Sequence, residues 1–160
     1  MAYAPQNFWA VLTVFTGMQS VLVVANRTSA SPTLLEAVQR RARQGPCTFT
    51  LLVPRTPHGL HRVVDPEDHG HAEALATIEQ ARPLLMEAAG GPVLAIVGSH
   101  DPLAAVEDAL NAGRYDEVII STLPRRLSRW LHVDLPRKVA GLGLPVETVE
   151  ASEFALAAQE

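Results

Sequence analysis

Short unbroken runs of apolar, β-branched residues recur along this chain, with helix-forming stretches between them. Val21–Ala25 is such a run. A strand without polar alternation has no face for water, so it suits a parallel sheet covered on both sides. Thr48–Val53, Val93–Val97, Glu117–Ile120 and Val146–Val149 supply four further strands. Between the first two, Pro32 opens a helix, since proline fits the first helical position. Leu34, Leu35, Val38 and Ala42 give it an apolar face, Arg40, Arg41 and Arg43 load its end, and Gly45 stops it. Ala72–Ala89 forms the second helix, with a kink expected at Pro83 and a stop at Gly90-Gly91. Pro102 starts a third helix to Ala112, and Pro136 a fourth to about Ala140. This alternation predicts an α/β fold: a five-stranded parallel sheet with helices on both faces, in three layers.

In such a sheet, ligands bind outside the carboxyl ends of the strands, where the strand order reverses. The segments that matter for function are therefore Asn26–Ser31, Pro54–Gly70, Gly98–Pro102 and Ser121–Arg129. The carboxylates Glu107, Asp108, Asp116 and Glu117 fall at the opposite end.

Composition narrows the function. With 48% apolar and 19% charged residues the chain is not of the disordered class. The net charge of −4 argues against a nucleic-acid partner. The one cysteine, Cys47, begins the second strand and reads as a small core hydrophobe. Twelve of the 13 basic residues are arginines, and Lys138 is the one lysine.

Residues 1–18 form an apolar extension, 19–150 the α/β domain and 151–160 a tail. Within the extension Phe8, Val11, Leu12 and Phe15 share the face of a short helix with Asn7 as its cap. Thr16, Gly17, Gln19 and Ser20 interrupt the apolar run, and no positive n-region precedes it. A membrane span or signal peptide is therefore not expected, and a cytoplasmic location is. Met18, just before the first strand, is a second candidate initiator.

Three constellations invite chemistry. His58, His61, His69 and His71, with Asp65, Glu67 and Asp68, crowd the loop after the second strand, but H-x2-H-x7-H-x-H matches no metal-ligand spacing, so no metal is assigned. Ser99, His100 and Asp101 are adjacent, whereas a catalytic triad needs convergence in space, and Asp101 before Pro102 reads as a helix cap. No catalytic residue is assigned. Arg125, Arg126 and Arg129 stand among Ser121, Thr122 and Ser128, and guanidinium forks suit phosphate and carboxylate. Trp130 and Leu131 read as packing or dimer-contact residues and not as a base-stacking platform.

Four of these segments resemble the universal stress protein family. Val-Val-Ala-Asn-Arg-Thr-Ser-Ala-Ser (23–31) is similar to its first strand and following Asp-Gly-Ser turn, and Gly98-Ser99-His100-Asp101-Pro102 to its third strand and turn. Asp116-Glu117-Val118-Ile119-Ile120 resembles its Asp-Leu-Ile-Val-Met strand, and Pro145-Val146 the start of its last. The resemblance spans roughly Ser20 to Val149 and implies a Rossmann-like, adenine-nucleotide-hydrolase-like sandwich, a homodimer and a role in stress response. The last strand is the expected pairing edge.

The family's ATP-binding members carry G-x2-G-x9-G-[ST] after the fourth strand, where glycines bring backbone N–H groups close to phosphate. Here Ser121, Pro124, Asp134 and Leu135 hold those positions, so the spacing survives and all four residues differ. Pro124 removes a donor, and Asp134 is expected to cap the next helix and repel phosphate. Asn26 also replaces the family's aspartate. The resemblance with these departures implies a binding or interaction module without the family's usual ATP site. One alternative is a site for ATP, AMP or another small anion, built from Asn26, Arg27, Thr28, Gly98, Ser121, Thr122, Arg125, Arg126 and Arg129. The other is a hydrolase of low activity, for which His100 and Asp101 are the evident groups.

Overall fold

In the computed structural model, which describes residues 18–56 and 66–152, the predicted alternation is present. The strands are β1 (Gln19–Val24), β2 (Cys47–Pro54), β3 (Val93–Gly98), β4 (Glu117–Thr122) and β5 (Val146–Glu150). The helices are α1 (Pro32–Gln44), α2 (Pro66–Ala89), α3 (Pro102–Ala112), α4 (Arg129–His132) and α5 (Leu135–Ala140). All pairings are parallel and the strand order is β3-β2-β1-β4-β5.

Two apolar layers flank the sheet. Val21, Val23, Phe49, Leu51, Val53 and Ile119 pack against Leu34 and Val38 of α1 and against Ala74, Ile78, Ala81 and Leu85 of α2. Leu22, Val24, Leu52, Val118 and Ile120 pack against Ala105, Val106 and Ala109 of α3 and Leu135 and Val139 of α5. Successive residues of β1 thus enter different layers, which is why that strand is apolar throughout.

The helix starts follow local chemistry. Ser31 accepts from Leu34 N at 3.3 Å ahead of Pro32, and Asp101 Oδ1 accepts from Leu103 N at 3.0 Å ahead of Pro102. Helix α2 departs from expectation. It starts at Pro66, so Pro66–Gly70 is helical although it reads as loop. Its proline again suits the first helical position, which outweighs the weak helix preference of Gly70. Helix α4 is absent from the sequence reading. It is a single turn inside a polar stretch, held by Leu131 N donating to Ser128 Oγ at 3.1 Å.

At the amino end of the sheet, Arg41 pairs with Glu117 and Arg40 with Glu147, while Ser20 N donates to Asp116 Oδ2 at 2.8 Å. Burial pushes the Cys47 thiol above its ordinary pKa, Arg41 opposes that shift, and Glu117 adds to it. The extension (Asn7, Phe8, Val11, Leu12, Phe15) and His58, His61 and Asp65 lie outside the described residues. Among the described residues no helix is long and apolar enough to cross a membrane, and no group of histidine, cysteine and carboxylate side chains could hold a metal ion.

Gly98 ends β3 where α3 crosses closest. A Cβ there would stand 2.6 Å from Ala105 Cβ and 2.9 Å from Leu52 Cδ1. Gly98→Ala is expected to destabilise the fold by about 1–3 kcal/mol through overpacking, read from urea unfolding.

Candidate functional site

Chain direction reverses at β1. The chain moves outward through β2 and β3, then returns to place β4 on the other side of β1. The loops after β1 and β4 therefore part, and a cleft of about 620 Å³ opens there at the carboxyl ends of the strands. Its walls come from the loops after β1, β2, β3 and β4, together with α4 and α5.

Two polar cross-links set the floor and one wall. Thr28 Oγ1 and Ser121 Oγ are 2.7 Å apart and buried, tying the loop after β1 to the end of β4. Asn26 Nδ2 donates to Pro54 O at 2.8 Å and to Thr56 Oγ1 at 3.3 Å, tying the same loop to the one after β2. Arg27 and Arg55 are thereby carried on adjacent, fastened loops. Asn26, Thr28 and Ser121 line the cleft, but their hydrogen-bonding capacity is largely spent on framework contacts.

The lining is mixed in a particular way. Among the described residues Arg27, Arg55, Arg129 and Lys138 bring four cations, and Asp101 is the one carboxylate. Asp101 also caps α3, so part of its accepting capacity is used. None of the four cations forms an ion pair among the described residues. Pro54, Pro102, Leu103, Leu127, Trp130 and Leu135 add apolar wall. A chain of net charge −4 thus presents a positive cleft, and low-dielectric walls concentrate such a field.

The expected arginine cluster is split. Arg129 lines the cleft, whereas Arg125 lines a separate polar depression with His132, Asp134 and Glu150 beside β5. Arg126 does not line the cleft and is engaged elsewhere. The cause is a tight turn: Leu127 N and Ser128 N both donate to Pro124 O, at 2.7 and 3.0 Å. That turn exposes residues 125 and 126 at its tip and returns Ser128 to the interior. Gly98 does not line the cleft either. Its carbonyl accepts from Arg55 N at 3.1 Å and from Arg55 Nε at 3.2 Å.

Asp134 corrects a second expectation. It precedes α5, yet its side chain makes no capping hydrogen bond. Its backbone is left-handed, φ 57° and ψ 42°, whereas a capping carboxylate needs an extended backbone to reach back to the helix. Asp134 thus holds a backbone conformation that glycine adopts more freely.

Ser99 Oγ donates to Asp101 O at 3.1 Å, so the Ser-His-Asp run builds a turn and a cap. His100 lines the cleft. His69 and His71 lie in the first turns of α2. Sequence reasoning missed Arg55 and Lys138. Arg55 was hidden in a long polar loop, and the side of α5 that faces the cleft depends on packing. Proximity to the strand end could have flagged Arg55, which directly follows Pro54.

Thr122 Oγ1 is buried with no hydrogen-bond partner among the described residues, and Thr122 lines the cleft. An unmet buried hydroxyl costs about 1–3 kcal/mol. Thr122→Val should therefore raise the unfolding free energy by about 1 kcal/mol or more, measured in urea; a loss of stability would mean the hydroxyl is satisfied in solution.

No family model matches the sequence, and no curated protein matches it. Solved structures do match its fold. The universal stress protein from Archaeoglobus fulgidus aligns over 85% of this chain and 98% of its own, with TM-score 0.59 and 14% identity. A universal stress protein family protein from Arabidopsis thaliana with AMP bound aligns over 85% and 94%, with TM-score 0.57 and 16% identity. A universal stress protein in complex with cAMP aligns over 84% and 98%, with TM-score 0.55 and 17% identity. The chain has the universal stress protein fold.

Proposed function

We propose that this chain is a binding module whose cleft takes an adenine-type nucleoside monophosphate or a comparable anion with a flat apolar body. One observation carries the reading: among the described residues, four cations without an ion pair and one carboxylate surround an apolar-walled cleft at the sheet's switch point. The cations meet the anion, and Leu103, Trp130 and Leu135 meet the body. A volume of about 620 Å³ falls within the usual range for small-ligand sites. Fold neighbours with AMP, cAMP and dAMP bound agree with this class of ligand.

A triphosphate is disfavoured. Pro124 offers no N–H at the second glycine position, and Arg125 faces another depression. Asp134, whose exposed carboxylate makes no capping hydrogen bond, lines that same depression. Hydrolysis has weaker support, because the nearest acid, Asp101, is occupied with capping α3.

Thermal unfolding with AMP, cAMP, ATP, adenosine and phosphate tests this. AMP or cAMP at 100 times its dissociation constant should add ~2.7 kcal/mol of stability, with ATP weaker. If none of the five raises the melting temperature, the reading is wrong.

We also propose a homodimer through β5, which lies at one edge of the sheet and leaves one side of its backbone unpaired among the described residues. Sedimentation should give twice the 17.2 kDa chain mass, and Thr148→Pro, which removes a backbone donor from that strand, should shift the protein toward monomer. A wild-type monomer at micromolar concentration would refute it.

A further inference from the structure

We propose that Arg55 is the anchor for the ligand's anionic group, so that the anion lies on the β1–β2 side of the cleft and not at the loop after β4. The proposal rests on the cleft being the nucleotide site argued above.

Arg27, Arg129 and Lys138 are exposed, whereas Arg55 is half-buried. Three contacts hold Arg55 in place. Its backbone N and its Nε both donate to Gly98 O, at 3.1 and 3.2 Å. Its aliphatic stem runs beside Gly70, where a Cβ would lie 3.5 Å from Arg55 Cβ. An arginine held through Nε keeps its terminal nitrogens as a fork, the geometry that matches phosphate or carboxylate. Little rotamer freedom remains to be lost on binding, so more of the interaction appears as affinity.

Its partner is a neutral carbonyl. Among the described residues the ion pairs are Arg40–Glu147 and Arg41–Glu117, both at the far end of the sheet. Among the described residues no carboxylate pairs with Arg55, and a bound anion supplies a counter-charge. Asn26 places Arg27 next to it by bridging the two loops through Pro54 O and Thr56 Oγ1. The opposite side offers less. Pro124 lacks an N–H, and Arg125 and Arg126 do not line the cleft.

The discriminating experiment compares AMP with adenosine, which differ by the anion alone. Calorimetry on the full chain should show AMP binding wild type about ten-fold or more tighter than adenosine, the scale of a charge-assisted hydrogen bond. Arg55→Met should bring AMP to the affinity of adenosine and leave adenosine within about two-fold. Arg55→Lys keeps the charge without the fork and should lose most of the preference; it also decides the matter if Arg55→Met does not fold. The Arg125→Ala/Arg126→Ala double variant should keep the wild-type ratio. An undiminished AMP preference in Arg55→Met, or in Arg55→Lys where the methionine variant does not fold, would overturn the anchor. So would its loss in the double variant. Absence of wild-type binding to both ligands would instead overturn the nucleotide-site reading, and the anchor with it.

Discussion

Burial of β1 on both faces is the constraint from which the rest of this structure follows. Val21, Leu22, Val23 and Val24 are at most 1% exposed, and each fully buried aliphatic side chain contributes roughly 1.5–3 kcal/mol. A strand sealed above and below must also be paired on both edges, because unpaired backbone groups in the core are costly. β2 and β4 supply that pairing in parallel register. Parallel neighbours require crossover connections, and α1, α2, α3 and α5 provide cover for the two faces. The reversal of chain order at β1 then opens the cleft without any residue being selected for a cavity.

The two ends of the sheet divide the charge. At the amino end, arginines of α1 meet glutamates on β4 and β5, and Asp116 takes an amide of β1. Among the described residues lining the cleft at the carboxyl end the cations outnumber the acids, and the polar groups that are paired serve the framework: Thr28 with Ser121, Asn26 with Pro54 and Thr56. The cleft therefore sets cations without an ion pair among the described residues beside a wall fastened by hydrogen bonds.

The loop after β4 is shaped by two residues that a glycine-rich phosphate loop would not carry. Asp134 holds the left-handed conformation that glycine would adopt freely. Pro124, buried, nucleates the tight turn that exposes residues 125 and 126. The resulting loop has fewer backbone donors than a glycine cradle. It also sends its arginines apart, so cations gathered in sequence are separated in space.

Much of the fold was legible because it rests on local rules. Unbroken apolar runs named the strands, Pro32 and Pro102 named helix starts, and Ser31 and Asp101 cap as their types predict. The position of the cleft followed from the general geometry of parallel sheets. Less legible were α4, a single turn without periodicity, and the start of α2, where Gly70 disguised a helix. By itself the sequence determined a two-faced parallel sheet, because period and apolarity dictate which backbone can be buried. Only the tertiary structure decided which cations share the cleft. Arg55 and Lys138 enter through contacts across loops and helices remote in sequence, Arg125 leaves through one turn, and no spacing along the chain encodes either outcome.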